Sequence, residues 1–340
     1  MYFMWPCERR FIVIHKATKS QKTDMMVTLF AVLAMSSYLY GFRVLIMTAV
    51  TLLAALVFDY ICMRLLGKKK GERVDCNTVI TAVIFTLCLS ATTPYWVAIY
   101  GMLFAIVVAK FPFGGNGKNI FNPAAVGLAF CAISFPGYLF QYPAPYTWVP
   151  LIDPAAVPMT SSPGFILQAG GNPNINTMNT LLINYSGPIG TTAVLIIAAC
   201  ALYLMVRKTV AWRILFSAGI SFSLLAFCFP RTSADSLHSV AYELVSGIFV
   251  FAVVFMASDP VTSPKSHWGQ ILFGVFIGVG TMLVRYLGST EMAVLYPLLL
   301  ANALTPAFDR TGVRIARRFA QGRTASDLPA PQEKPEGGAV

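Results

Sequence analysis

Residues 43–66 read RVLIMTAVTLLAALVFDYICMRLL, a run with no charged side chain between Arg43 and Asp59. At 1.5 Å of rise per residue, a helix of this run covers a hydrocarbon core of ~30 Å. A soluble helix would carry a polar stripe, and this run has none. Apolar runs of the same kind lie on either side, near 25–40, 77–92, 95–109, 123–136, 189–206, 212–229, 244–257, 269–286 and 291–305. Together they predict an all-α integral membrane protein with about ten transmembrane helices. Composition agrees: 56% of the 340 residues are apolar, 11% are charged, and the mean hydropathy is +0.67. These values exclude a disordered chain, a coiled coil and an ordinary soluble enzyme.

The net charge of +11 would suggest nucleic acid on a soluble domain, but here Lys and Arg sit between apolar runs, so no nucleic-acid partner is expected. Arg9, Arg10, Lys16, Lys19 and Lys22 precede the first run without a small-residue cleavage site, which reads as a cytoplasmic anchor. With that end inside, only Arg43, Arg231 and Arg285 of the 25 basic residues fall on the far side. The asymmetry predicts an even number of spans and two cytoplasmic termini. The segments are then a basic N-terminus (1–24), membrane helices 1–5 (25–136), an exported loop (137–188), membrane helices 6–10 (189–305) and a basic, disordered tail (306–340). Five spans per half would invert one half relative to the other, and Asn122-Pro123 at the fifth span against Asn302 and Pro306 at the tenth hints at such a duplication.

The seven cysteines are scattered singly, with no C-x-x-C, so neither an iron–sulfur cluster nor a zinc site is expected. Of the 14 acids only Asp59 lies clearly inside a span, and its expected partners are Arg64 and Lys68, five and nine positions on. The loop 137–188 has no Lys or Arg and is rich in Pro, Gly, Asn, Ser and Thr. Loops of this length usually bind something, so it is the first place to seek a site. Its Thr160 and Ser162 offer hydroxyls in a Pro/Ser/Thr cluster, and Tyr142, Tyr146 and Trp148 offer flat apolar surface or anchors at the headgroup level. The stretches Phe113-Gly114-Gly115-Asn116-Gly117-Lys118-Asn119 and Ser258-Asp259-Pro260-Val261-Thr262-Ser263-Pro264 lack phosphate-loop spacing. They predict irregular backbone where helices end, with the Asp259 carboxylate bonded to loop amides.

In this order the segments FGGNGKNIFNPAAVG, FMASDPVTSP followed by GQILFGVFIGVGTMLVRYLG, and Glu291 to Ala303 resemble one family. The chain is similar, from about residue 22 to 310, to the D subunit of the Rnf ferredoxin:NAD⁺ oxidoreductase, whose close relative is the B subunit of the sodium-pumping NADH:quinone reductase. The resemblance implies a membrane subunit of a redox-driven, ion-translocating complex, active only within it. It implies FMN held through a phosphoester to a threonine of the exported loop, a second, noncovalent riboflavin, and an extracytoplasmic electron relay. Partners would be the A, E and G membrane subunits, the peripheral B and C subunits and the lipid bilayer of a bacterial or archaeal cytoplasmic membrane.

The family's D-x-x-[ST]-x-A-T-P-L motif corresponds here to Asp153 through Pro163. Counting from Asp153 favours Thr160 as the acceptor, one residue late, whereas anchoring on the proline favours Ser162. The run Ser186-Gly187-Pro188-Ile189-Gly190-Thr191-Thr192-Ala193 resembles the family's G-x-x-G-E-T-S with Thr191 in place of the acid. Gly187, Gly190 and Thr191 are therefore expected at the flavin phosphate or ring, as amides opening the sixth span, with a plain helix start as the bland alternative. Two rivals share the hydropathy pattern: a channel for a small polar solute, and a flavin-free scaffold subunit of the complex.

Overall fold

The computed structural model describes residues 19–67, 76–115, 117–144, 146–171, 185–231, 235–288 and 291–326. The chain is helical almost throughout. In the first half, α1 (Lys19–Tyr40) and α2 (Arg43–Leu65) are followed by α3 (Cys76–Leu87), α4 (Tyr95–Leu103), which runs into a π-helical turn at Phe104–Val108, and α5 (Pro123–Ser134). A short α6 (Pro136–Leu139) leads into a loop with a two-stranded ribbon, β1 (Tyr142–Pro143) and β2 (Met159–Thr160), and a short α7 (Pro163–Gln168). The second half holds α8 (Val194–Val206), α9 (Trp212–Cys228), α10 (Ser236–Val245), α11 (Phe249–Ala252) with its π-helical turn Val253–Ala257, α12 (His267–Tyr286) and α13 (Leu295–Ser326).

Among the described residues, α1, α2 and α12 are each long and apolar enough to cross a membrane, and α10 with α11 and its π-helical turn are so together, as a pair bent by 60°. The remaining apolar helices are shorter, 10–17 residues. Each expected apolar run coincides with a helix, but several boundaries differ. The third run stops at Leu87, and Cys88–Pro94 is irregular. The eighth starts inside the bend at Ser246-Gly247. The last helix continues through Pro306 to Ser326, so the segment expected as a disordered tail begins as helix; residues 327–340 lie outside the described residues. Residues 1–18 of the basic N-terminus lie outside them as well.

The two halves repeat one packing order. In the first, α2 packs on α3 and α4, and α4 packs on α5. In the second, α9 packs on α10 and α12, and α12 packs on α13. Equivalent helices meet across the middle: α1 touches α8, and α5 touches α13. This is the arrangement a duplicated five-span unit produces. Close approach is made by small residues. A Cβ on Gly274 would come within 2.0 Å of Ser217 Oγ, and one on Gly278 within 2.2 Å of Ser221 Oγ, so α9 and α12 pack nearly backbone to backbone. The expected irregular stretches are present: Gly114, Gly115 and Gly117 all have positive φ (105°, 82° and 77°), and the Asp259 carboxylate accepts from the Val261 amide at 3.2 Å.

The loop after α6 covers one end of the bundle. Arg43, 1% exposed, ties it down by donating from Nη1 to the carbonyls of Pro150 (2.8 Å) and Leu151 (2.6 Å). Its Nε and Nη2 donate to Ala91 O (2.7 Å) and Thr93 O (3.2 Å) in the break after α3. The Val149 amide donates to Tyr40 O at 3.2 Å, and Gln168 reaches Gly288 O at 2.8 Å. The loop is thus docked on the α1–α2 turn, the α3–α4 break and the α12–α13 turn together.

Candidate functional site

The ribbon sets the geometry of the loop. β1 and β2 pair antiparallel with Tyr142 opposite Thr160 and Pro143 opposite Met159. Thr160 is exposed, and its hydroxyl lies in hydrogen-bond contact with the Ser186 hydroxyl. Ser162 is 3% exposed and caps α7, its Oγ accepting from the Phe165 amide at 3.2 Å. The cap engages one lone pair of this hydroxyl, and burial screens it from the loop surface. Asp153 is exposed, immediately before the short turn Pro154–Ala156. Of the three aromatics, Tyr146 and Trp148 remain exposed, whereas Tyr142 is 1% exposed and belongs to the interior.

The segment Ser186–Ala193 does not open a helix, because α8 starts only at Val194. It is an extended strap laid into the α3 break. The Ile189 amide donates to Leu89 O (2.8 Å) and the Gly190 amide to Leu87 O (2.6 Å), so they satisfy carbonyls left open where α3 stops. Gly190 is required sterically there, since a Cβ would sit 2.7 Å from Leu87 Cβ. Thr191 is buried; its hydroxyl donates to Pro188 O (3.2 Å) and its carbonyl accepts from Tyr185 (2.7 Å). The Ile189, Gly190 and Thr191 amides are therefore spent on backbone, the Thr191 amide on Pro188 O at 3.1 Å. Ser186 is brought to Thr160, with Gly187 next in the chain.

Asp59 is fully buried, and the expected partner Arg64 does not reach it. Lys110 Nζ, beyond the π-helical turn, lies 2.6 Å from Asp59 Oδ1 and also donates to Thr78 Oγ1 at 2.7 Å. Arg64 instead turns to the Tyr60 hydroxyl (3.1 Å), and Lys68 lies outside the described residues. The intramembrane acid is thus neutralised by a buried lysine, with a hydroxyl to share its protons. Toward the loop end, Glu243 accepts from Arg231 Nε (2.6 Å) and Arg285 Nη1 (2.5 Å). At the opposite end, a cleft is lined by Asn77, Asn119, Asn122, Phe255 and Asp259 among others. No cluster of His, Cys, Asp and Glu fit to hold a metal ion occurs among the described residues.

A docked, hydroxyl-bearing loop over a pair of repeated helical units that contain buried, paired charges defines a polytopic membrane protein built to place polar chemistry inside and just outside a bilayer. Residues 9–316 match the family described as "NQR2, RnfD, RnfE family", and the chain belongs to that family. It is 28% identical to the D subunit of the ion-translocating oxidoreductase complex of Haemophilus influenzae (strain PittEE), over 90% of this chain and 97% of that relative. It is 29% identical to the D subunit of the Na(+)-translocating ferredoxin:NAD(+) oxidoreductase complex of Acetobacterium woodii, over 86% and 89%. To the B subunit of the Na(+)-translocating NADH-quinone reductase of Chromohalobacter salexigens it is 30% identical, over 79% of this chain and 66% of that relative.

Proposed function

We propose that this chain is the D-type membrane subunit of a redox-driven, ion-translocating oxidoreductase complex, and that it carries FMN through a phosphoester to Thr160. The observation that supports this reading most is the contrast between the two hydroxyls. Thr160 is presented at an exposed ribbon edge, whereas Ser162 is buried in a helix cap. The Thr160 surroundings fit such a group. Ser186 offers a second hydroxyl to a phosphate, and the exposed rings of Tyr146 and Trp148 on the same loop give flat apolar surface. When bound, the flavin supplies electron transfer. The chain's part is to hold it: Arg43 fixes the loop, and the ribbon fixes the direction of the Thr160 side chain.

The loop end then faces the extracytoplasmic side of a bacterial or archaeal cytoplasmic membrane, and both termini face the cytoplasm. The A, E and G membrane subunits and the peripheral B and C subunits surround it, and a noncovalent riboflavin is the second cofactor. The energetics are adequate. Moving one charge against 100 mV costs ~2.3 kcal/mol, while a two-electron step releases ~1.4 kcal/mol per 30 mV of potential difference.

The test is the intact mass of the full chain coproduced with its flavin transferase, together with in-gel flavin fluorescence. The expected result is an FMN-sized increment and a fluorescent band in the wild type and in Ser162→Ala, both lost in Thr160→Val. An unmodified wild-type chain would overturn the reading in favour of a scaffold subunit or a solute conduit.

A further inference from the structure

Beneath the loop lies a group of polar side chains that the reading above does not use. Glu291 precedes α13, in the turn under the loop, and is 9% exposed. Tyr40 and Tyr142 are each 1% exposed, Thr192 is 1% and Tyr185 is 3%. Neither carboxylate oxygen of Glu291 has a hydrogen-bond partner among the described residues, and the same holds for the hydroxyls of Tyr40, Tyr142 and Thr192. These orphans are neighbours. The Tyr142 hydroxyl faces the Glu291 carboxylate, and the Tyr40 hydroxyl faces Thr192. A single stranded buried hydroxyl is a packing defect; four side chains of this kind together, one of them an acid, form a site.

Backbone has been cleared to make room for the acid. A Cβ on Gly164 would lie 2.8 Å from Glu291 Cγ and 3.0 Å from its Oε1, and one on Gly247, in the bend between α10 and α11, would strike Glu291 O at 2.2 Å. The groups facing Glu291 come from every element around it: Tyr142 from β1, the Phe165 amide from α7, Tyr185 from the strap and Arg285 from α12. Arg285 is already committed, donating to Glu243 Oε2, Glu243 O (2.7 Å) and Ser246 O (2.8 Å). Burial biases Glu291 toward the neutral acid, while the Tyr142 hydroxyl, the more distant Arg285 and the Phe165 amide bias it toward the charged form. Two opposed influences of this kind leave a carboxyl able to exist in either state. A fixed metal cation would share the site with the positive charge of Arg285, whereas a proton needs the acid and a row of groups that both donate and accept.

We propose that Glu291 is a proton-accepting site, which exchanges one proton with water on the loop side along the hydroxyls of Tyr142, Tyr40 and Thr192. Protonation converts the carboxylate and one proton from water into the neutral acid; the reverse step returns the proton by the same row. The Thr192 methyl lies toward Gly187, whose neighbour Ser186 contacts the exposed Thr160, so the row leads toward the loop. Resting on the reading that Thr160 bears the redox group, the site compensates charge: the acid takes up its proton when an electron arrives nearby and releases it when the electron leaves.

The test is infrared difference spectroscopy of the full-length chain in nanodiscs, titrated across neutral pH and made without the flavin transferase. Its outcome therefore does not depend on flavin attachment, which the intact mass decides separately. The expected result is one carboxylic-acid C=O band that grows as pH falls and is lost in the isosteric Glu291→Gln. In Tyr142→Phe, which removes a donor facing the carboxylate, the band titrates at higher pH. Absence of a band attributable to Glu291, an unshifted titration in Tyr142→Phe, or a band that responds to sodium at constant pH would each overturn the proposal. Should Glu291→Gln fail to accumulate, the Tyr142→Phe titration carries the test alone.

Discussion

Lys110 and Asp59 show what a single residue costs and returns inside a bilayer. Separating such a pair leaves an uncompensated buried charge, a loss of roughly 3–5 kcal/mol, whereas replacing both members with neutral groups of similar size is close to neutral. Lys110→Met is therefore expected to lower the thermal midpoint of the detergent-solubilised chain sharply, and the double variant Asp59→Asn with Lys110→Met to recover most of the loss. Asp59 was legible in the sequence, because an intramembrane acid stands out against apolar neighbours. Its partner was not, because the 51 positions between them are bridged only by tertiary packing of α2 against the α4 extension. Local spacing pointed to Arg64, which the fold turns toward Tyr60. Glu291 escaped notice for a related reason: sequence placed it at a span end, where acids are commonplace, and only the loop folding back over it makes it buried. Sequence counting left a choice between Thr160 and Ser162, and the fold exposes the first and buries the second.

Among the elements, α9 and α12 depend on small side chains at their contact. Gly278→Val would drive two methyl groups into Ser221 and the Ala218 carbonyl. A loss of about 1–3 kcal/mol is expected from overpacking, measured as a lower unfolding midpoint, while Gly219→Ala on α9, which meets nothing within 4 Å, should not lower it. At α7 the capping role of Ser162 predicts that Ser162→Ala costs ~1 kcal/mol of local helix stability, seen as faster amide exchange at Phe165. Hydropathy located the helices well because the apolar runs are long and bounded by Gly, Pro or charge. It did not reveal the bend at Ser246-Gly247 or the two π-helical turns, which are local changes in hydrogen-bond register, or the strap at Ser186–Ala193, which is made by long-range carbonyl and amide pairing; none of these leaves a periodic trace.

For the whole molecule, the docking of the loop rests on Arg43. A guanidinium that donates to four carbonyls from two separate segments acts as a rivet, and charge-assisted bonds of this type are worth roughly 1.5–3 kcal/mol each. Arg43→Met is expected to make the loop markedly more sensitive to limited proteolysis while the helical bundle stays resistant, with fragment masses locating the cuts between residues 144 and 171. The even division of the chain was visible in sequence only as the echo of Asn122-Pro123 in Asn302 and Pro306; the repeated neighbour pattern and the contacts of α1 with α8 and α5 with α13 give it physical form. The strap carries a consequence for biogenesis. Because the carbonyls of Leu87 and Leu89 are satisfied by amides of Gly190 and Ile189, the third crossing stays incomplete while the ribosome makes everything in between. The nascent N-terminal half must wait in the translocon's vicinity with open hydrogen-bond acceptors, and it locks only when the start of the other half arrives.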